Sequence, residues 1–88
     1  MWVLISMQDI LAKRLRDCRR KNGYTQREVA IYCDITEKAY QNYEVARQEP
    51  KLSIITRIAV FYKVSLDYLV GLTDDPTPYN RKRASADD

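Results

Sequence analysis

Between Thr36 and Ala46 the chain sets a carboxylate, an ammonium and two carboxamides one helical turn apart: Glu37, Lys38, Gln41 and Asn42. On a helix advancing about 100° per residue these four share one arc with Val45, while Ala39, Tyr40 and Tyr43 fall opposite. Donors and acceptors displayed on one side of an apolar-backed helix suit recognition of a hydrogen-bonding surface within a groove. They do not suit bond making or breaking. The chain has no His, so the usual neutral-pH general base is missing, and no Ser/His/Asp, Cys/His or metal-ligand cluster can be assembled. The reading is therefore a binding protein, not an enzyme, with no cofactor, no metal and no small-molecule substrate.

An isolated helix with such a face would be read as merely solvated, so the elements before it carry weight. Ser6 with Asp9 reads as an acid-bearing variant of the capping box, with Ile5 and Ile10 as its hydrophobic staple. A first helix follows to about Lys21, with Leu11, Leu15 and Cys18 on one stripe, and stops at Asn22-Gly23, where Gly can adopt the left-handed conformation. Thr25 and Glu28 make a second capping box, and Val29, Ala30 and Cys33 face inward. A small residue at position 30 lets the next helix cross closely. Thr36 caps the third helix, which is expected to end near Ala46. A fourth runs from roughly Ile54 to Tyr62 after Ser53, with Ile55, Ile58, Ala59 and Tyr62 at helical spacing, and a fifth starts after Ser65 and stops at Gly71.

Size and charge bound the rest. The 88 residues, 45% of them apolar, can form one small core. Cys18 and Cys33 sit at apolar helix positions without a CxxC and read as buried thiols of a reducing compartment, the cytoplasm. The apolar start Trp2-Val3-Leu4-Ile5 is far short of the ~20 residues needed to span a bilayer and has no basic region before it, so it is no anchor. It is read as an extension packed on the domain or placed at a dimer interface. The expected division is an N-terminal extension over 1–6, a helical domain over 7–73 and a polar, mobile tail over 74–88, whose Arg81-Lys82-Arg83 run is read as solvated. From Lys13 to Arg27 seven cations (Lys13, Arg14, Arg16, Arg19, Arg20, Lys21, Arg27) face only Asp17, a local charge of +6 in a chain of +3. Such asymmetry suggests a phosphate-facing flank, although a helical wheel scatters these residues.

Residues 8–73 carry a resemblance. Arg19-x-x-x-Gly23-Tyr24-Thr25-Gln26, Ala30, Tyr43-Glu44, Glu49-Pro50 and Val64-Ser65-Leu66-Asp67-Tyr68-Leu69-Val70-Gly71-Leu72 together resemble the Xre family, the Cro and lambdoid phage repressor type of helix-turn-helix domain. The resemblance implies an all-α, five-helix, lambda-repressor-like fold that binds operator DNA. Three positions depart from the family pattern. Asp34 stands at the usual turn Gly, a mild change because Asp tolerates positive φ. Ala46 stands at the usual Gly after the third helix and is read as lengthening that helix. Tyr40 stands where an aliphatic residue is usual, which suggests a rearranged core.

The resemblance also implies roles. Glu37, Lys38, Gln41 and Asn42 would face base edges in the major groove, where Lys donates to guanine, Gln or Asn pairs with adenine and Glu accepts from cytosine. Gln26, with the first N–H groups of its helix, would clamp a phosphate, and Arg27 and Arg47 would contact others. Arg19 and Glu44 would form a structural ion pair, architecture and not contact. One reading helix covers about half a duplex turn, so a homodimer on a palindromic operator is expected. Its interface is placed at the end of the fourth and fifth helices, where Val60, Phe61, Tyr62, Val64 and Leu66 offer apolar surface. The resulting reading is a sequence-specific double-stranded DNA-binding transcriptional regulator, a repressor, in a bacterial or phage-derived cytoplasm and associated with the nucleoid. The alternative is an antitoxin-like or antirepressor module using the same fold to hold a protein partner.

Overall fold

Five helices make up residues 6–78, the part of the chain that the computed structural model describes: α1 (Met7–Asn22), α2 (Gln26–Cys33), α3 (Glu37–Glu44), α4 (Leu52–Tyr62) and α5 (Leu66–Leu69). No strand occurs among the described residues. The expected all-α, five-helix architecture is the one observed. Trp2, Val3, Leu4, the Ile5 half of the staple and Arg81-Lys82-Arg83 lie outside the described residues.

Side-chain oxygens start four of the helices. The hydroxyls of Ser6, Thr25, Thr36 and Ser65 accept the backbone N–H groups of Asp9, Glu28, Ala39 and Tyr68, satisfying donors that the helix itself cannot. At Thr25 the box is reciprocal, because Glu28 Oε1 accepts the Thr25 N–H at 2.8 Å. α4 departs from expectation: it begins at Leu52, two residues earlier than expected, with Lys51 as an extended N-cap that supplies no side-chain bond. Ser53 lies inside its first turn. Packing of Ile55, Ile58 and Ala59 into the core extends the helical register past the weaker local preference of Ser for a cap.

Left-handed residues end the helices. Gly23 has φ +72°, Asp34 φ +58° and Lys63 φ +59°. α3 also differs from expectation. It ends at Glu44, and Ala46 adopts φ +59° instead of lengthening the helix. The chain must reverse there so that the N–H groups of Arg47 and Gln48 reach Asn42 O, and Ala46 takes the conformation that favours Gly.

Leu11, Leu15, Cys18, Val29, Ala30, Cys33, Tyr40, Tyr43, Ile55, Ile58, Ala59, Tyr62 and Leu69 form one core, packed where α2 meets α3 and α4, and α1 meets α3 and α5. Ala30 is 2% exposed at the heart of this crossing. Cys18 and Cys33 are free, buried thiols that burial pushes above the ordinary thiol pKa. Gly71 allows α5 to approach α1: with φ +88°, a Cβ there would stand 2.9 Å from Ile10 Cγ2.

The first residues of the polar segment after Thr73 lie against the domain. Pro76 O accepts the Ser65 N–H at 3.0 Å, and Asp74 pairs with Arg14 at 2.8 Å. Arg14 also donates to the carbonyls of Tyr68 and Thr73, both at 2.6 Å, with its guanidinium 4.2 Å from the Tyr68 ring centroid.

Candidate nucleic-acid interface

α3 is two turns long, and its faces separate as its sequence demands. Tyr40, Tyr43 and Glu44 are buried, Glu37 and Lys38 are exposed, Gln41 and Asn42 are half-exposed, and Val45, at its C-terminus, is exposed. The arc is open to solvent at Glu37 and Lys38 and in part at Gln41 and Asn42. Its internal bonds are long: Gln41 Nε2 to Glu37 Oε2 at 3.4 Å, and Asn42 Nδ2 to Gln48 Oε1 at 3.5 Å. Both exceed the usual range for a good hydrogen bond, so these groups exchange partners at little cost. Gln48, exposed in the loop after α3, is a neighbour of the arc that the sequence did not single out. Its only sequence signal is membership of the polar loop Arg47-Gln48-Glu49-Pro50.

Three residues before α3 set its direction. Asp34, Ile35 and Thr36 span the whole turn from α2, with Asp34 left-handed, Ile35 packed on the core and Thr36 capping. Ile35 N–H reaches back to Ala30 O at 3.0 Å, which closes the C-terminus of α2.

Behind the arc lies a buried polar network. Glu44, 1% exposed, accepts from Arg19 Nε at 2.7 Å and Arg19 Nη2 at 3.0 Å, a two-pronged pair joining α1 to α3 as the family resemblance implied. Gln26 Nε2 donates to the same carboxylate at 3.0 Å, and the Tyr40 hydroxyl stands close enough to lower its pKa. Tyr40 and Tyr62 hydroxyls lie 2.6 Å apart. Burial by itself would raise the Glu44 pKa, but the hydrogen bonds from Arg19, Tyr40 and Gln26, with the Arg19 charge, hold it below the ordinary carboxylate value. Burial pushes both tyrosine hydroxyls above their ordinary range. Among the described residues, no buried side-chain nitrogen or oxygen lacks a partner. The rearrangement expected at Tyr40 is thus an added polar contact.

The basic stretch divides on folding. Arg14, Arg16 and Arg19 turn inward: Arg14 holds the segment after Thr73, Arg16 donates to Glu44 O at the end of α3, and Arg19 meets Glu44. Lys13 pairs with Asp17 at 2.8 Å on the surface. Arg20, Lys21 and Arg27 are exposed, as is Arg47 beyond α3. One Nε2 hydrogen of Gln26 serves Glu44, so its amide is partly architectural. The interface expected on α4 and α5 also narrows. Tyr62 is a core residue, and Phe61 is half-buried between Tyr24 and Tyr32, with ring centroids 4.7 and 4.4 Å away. Val60, 52% exposed, borders a groove of about 480 Å³ with Val64 and Leu66.

Among the described residues no group of three or more His, Cys, Asp or Glu side chains could hold a metal ion, and no helix is long and apolar enough to cross a membrane.

Comparison with known proteins agrees with this geometry. The helix-turn-helix family profile matches residues 15–69. The chain is 38% identical over 66 residues to the protein named Uncharacterized HTH-type transcriptional regulator YobD of Bacillus subtilis (strain 168), covering 75% of this chain and 59% of that one. It is 39% identical over 61 residues to the HTH-type transcriptional regulator ImmR of the same organism, covering 69% of this chain and 48% of that one. To the Cryptic phage CTXphi transcriptional repressor RstR of Vibrio cholerae it is 32% identical over 76 residues, covering 86% and 67%. The chain thus spans about half the length of the first of these relatives. No solved structure gives a significant match. With the capped α2, the three-residue turn and the exposed arc of α3 falling within the matched span, the chain belongs to the helix-turn-helix family of the Xre type.

Proposed function

We propose that this chain is a DNA-binding transcriptional regulator, a repressor, that reads the major groove of double-stranded DNA with α3. The observation that carries the reading is the exposed arc of Glu37, Lys38, Gln41 and Asn42 on a helix whose other side is buried. Lys38 and Asn42 are the foremost base-reading residues, through guanine O6/N7 and the adenine edge respectively. Glu37 discriminates by accepting from cytosine and repelling wrong acceptors. The names of the relatives support regulation, and that of RstR supports repression.

Phosphate contacts come from the N-terminus of α2, from Arg27 and from Arg47. The Thr25 cap takes the Glu28 N–H, which leaves the N–H groups of Gln26 and Arg27 uncapped at the positive end of the helix dipole. The remaining Nε2 hydrogen of Gln26 can join them. Two copies on half-sites about 34 Å apart make the specific complex, with the Val60, Val64 and Leu66 groove as their contact, in the cytoplasm.

Selection of bound duplexes from a random pool tests this reading. The expected result is a palindromic motif whose binding falls steeply with salt, and Lys38→Ala with Asn42→Ala should each lower affinity for it by about 1–3 kcal/mol without shifting the melting temperature. No enriched motif and no DNA binding would favour the partner-holding reading, for which exposed Ile31, Tyr32 and Val60 beside Phe61 supply an apolar surface.

A further inference from the structure

We propose that the Tyr40–Tyr62 hydroxyl pair is a positioning contact that sets the roll of α3, and so the specificity with which its polar arc reads bases; this rests on the DNA-binding reading. Tyr40 is the largest fully buried side chain of the domain and stands on the side of α3 opposite Glu37, Lys38, Gln41 and Asn42. Tyr62 lies on α4, 22 residues away in sequence, and the two oxygens meet at 2.6 Å. No direct partner in the core could fix α3 against α4 with the directionality of a hydrogen bond if position 40 were aliphatic.

Either hydroxyl can donate in this contact, whereas the Glu44 carboxylate, held below its ordinary pKa, can only accept. The sequence Tyr62 to Tyr40 to Glu44, joined at Glu44 by Arg19 of α1 and Gln26 of α2, ties α3 to each of the other long helices. Each link has a length and an angle, whereas apolar packing around a two-turn helix leaves roll comparatively free. Roll matters at the arc. A rotation of about 10° moves a group at the ~5–6 Å outer radius of a helix by about 1 Å, enough to spoil a bidentate contact to a base edge. Phosphate contacts from Arg27, Arg47 and the α2 N-terminus do not depend on that roll in the same degree, so positioning should show itself in specificity and not in general affinity.

Tyr62→Phe is the discriminating variant, because it removes the hydroxyl contact between α3 and α4 while Glu44 keeps its bonds from Arg19 and Gln26. Full-length wild type, Tyr62→Phe and Tyr40→Phe are titrated against the duplex that wild type selects and a scrambled duplex of equal length, with folding checked by circular dichroism and thermal melting. The expected result is a roughly tenfold fall in the ratio of the two affinities for each variant, the size of one lost base contact, with unchanged affinity and salt dependence on the scrambled duplex. Repeated selection with Tyr62→Phe should return the same half-site spacing with relaxed preference at the bases facing α3. A ratio within twofold of wild type in both folded variants overturns the proposal, as does an equal loss on both duplexes, which would report folded fraction alone. Should wild type itself fail to discriminate, the DNA-binding reading fails first and leaves the pair nothing to position.

Discussion

Glu44 concentrates the chemistry of the domain in one side chain. Its carboxylate is buried, its pKa is depressed by Arg19, Tyr40 and Gln26 against the opposing effect of burial, and three helices meet at its oxygens. A depressed folded pKa stabilises the fold at pH above the ordinary carboxylate value of 4.5, and that stabilisation disappears as the pH falls below 4.5 through the folded value. Denaturant melts of wild type should therefore weaken in that acid window. Glu44→Gln should melt with about 2–3 kcal/mol less stability at pH 7 and with a flatter acid dependence, since Arg19 loses its counter-charge and Tyr40 its strong acceptor. An unchanged acid dependence in the variant would remove Glu44 as its source. Ala46 makes the opposite case. Its φ of +59° strains a Cβ that Gly lacks, so Ala46→Gly should raise stability by about 0.5–1 kcal/mol in chemical denaturation. A loss instead would mean that the gain in unfolded-chain entropy outweighs the relieved strain.

At the scale of elements, α3 depends on its cap more than on its propensity. Eight residues are too few to hold a helix in water, and two of its residues are tyrosines with restricted rotamers. Thr36 Oγ1 accepts the Ala39 N–H at 3.0 Å and holds the turn that carries Glu37 and Lys38. Thr36→Ala should cost about 1 kcal/mol and also weaken binding to the selected duplex. Ser65→Ala removes an equivalent cap from α5 and should cost about as much stability while leaving DNA affinity per folded molecule unchanged. Comparing the two variants by thermal melting and gel shift separates the loss of a cap from the loss of a reading surface. If both weaken DNA binding equally, the cap of α3 has no special place in recognition.

For the whole molecule, the segment from Thr73 to Pro76 acts as a strap across the far ends of the chain. Arg14 bonds Tyr68 O, Thr73 O and Asp74, and Ser65 bonds Pro76. None of these partners lies on α3. Arg14→Ala should lower stability by about 1.5–3 kcal/mol and speed proteolysis between residues 73 and 78, because two carbonyls and a carboxylate lose one shared cation. Discrimination between selected and scrambled duplexes, measured per folded molecule, should not change. A shift in discrimination would show that the strap reaches the reading helix through the core.

The caps at Ser6, Thr25, Thr36 and Ser65, the left-handed stops at Gly23 and Asp34, the buried stripe of each helix and the free arc of α3 were legible because each is settled within four residues along the chain. The start of α4 at Leu52, the left-handed Ala46, the inward turn of Arg14 and Arg16 and the capture of Gln26 by Glu44 were not. Arg14 meets Asp74 across 60 residues, Arg16 meets Glu44 across 28 and Tyr40 meets Tyr62 across 22. Local sequence determined which helices form and which face of α3 stays polar, since those follow from backbone hydrogen bonds and periodicity. Only tertiary packing decided which cations remain in solvent and what grips α3 from behind, because a charge or hydroxyl chooses its partner by distance in space, and the chain sets that distance only once the helices have met.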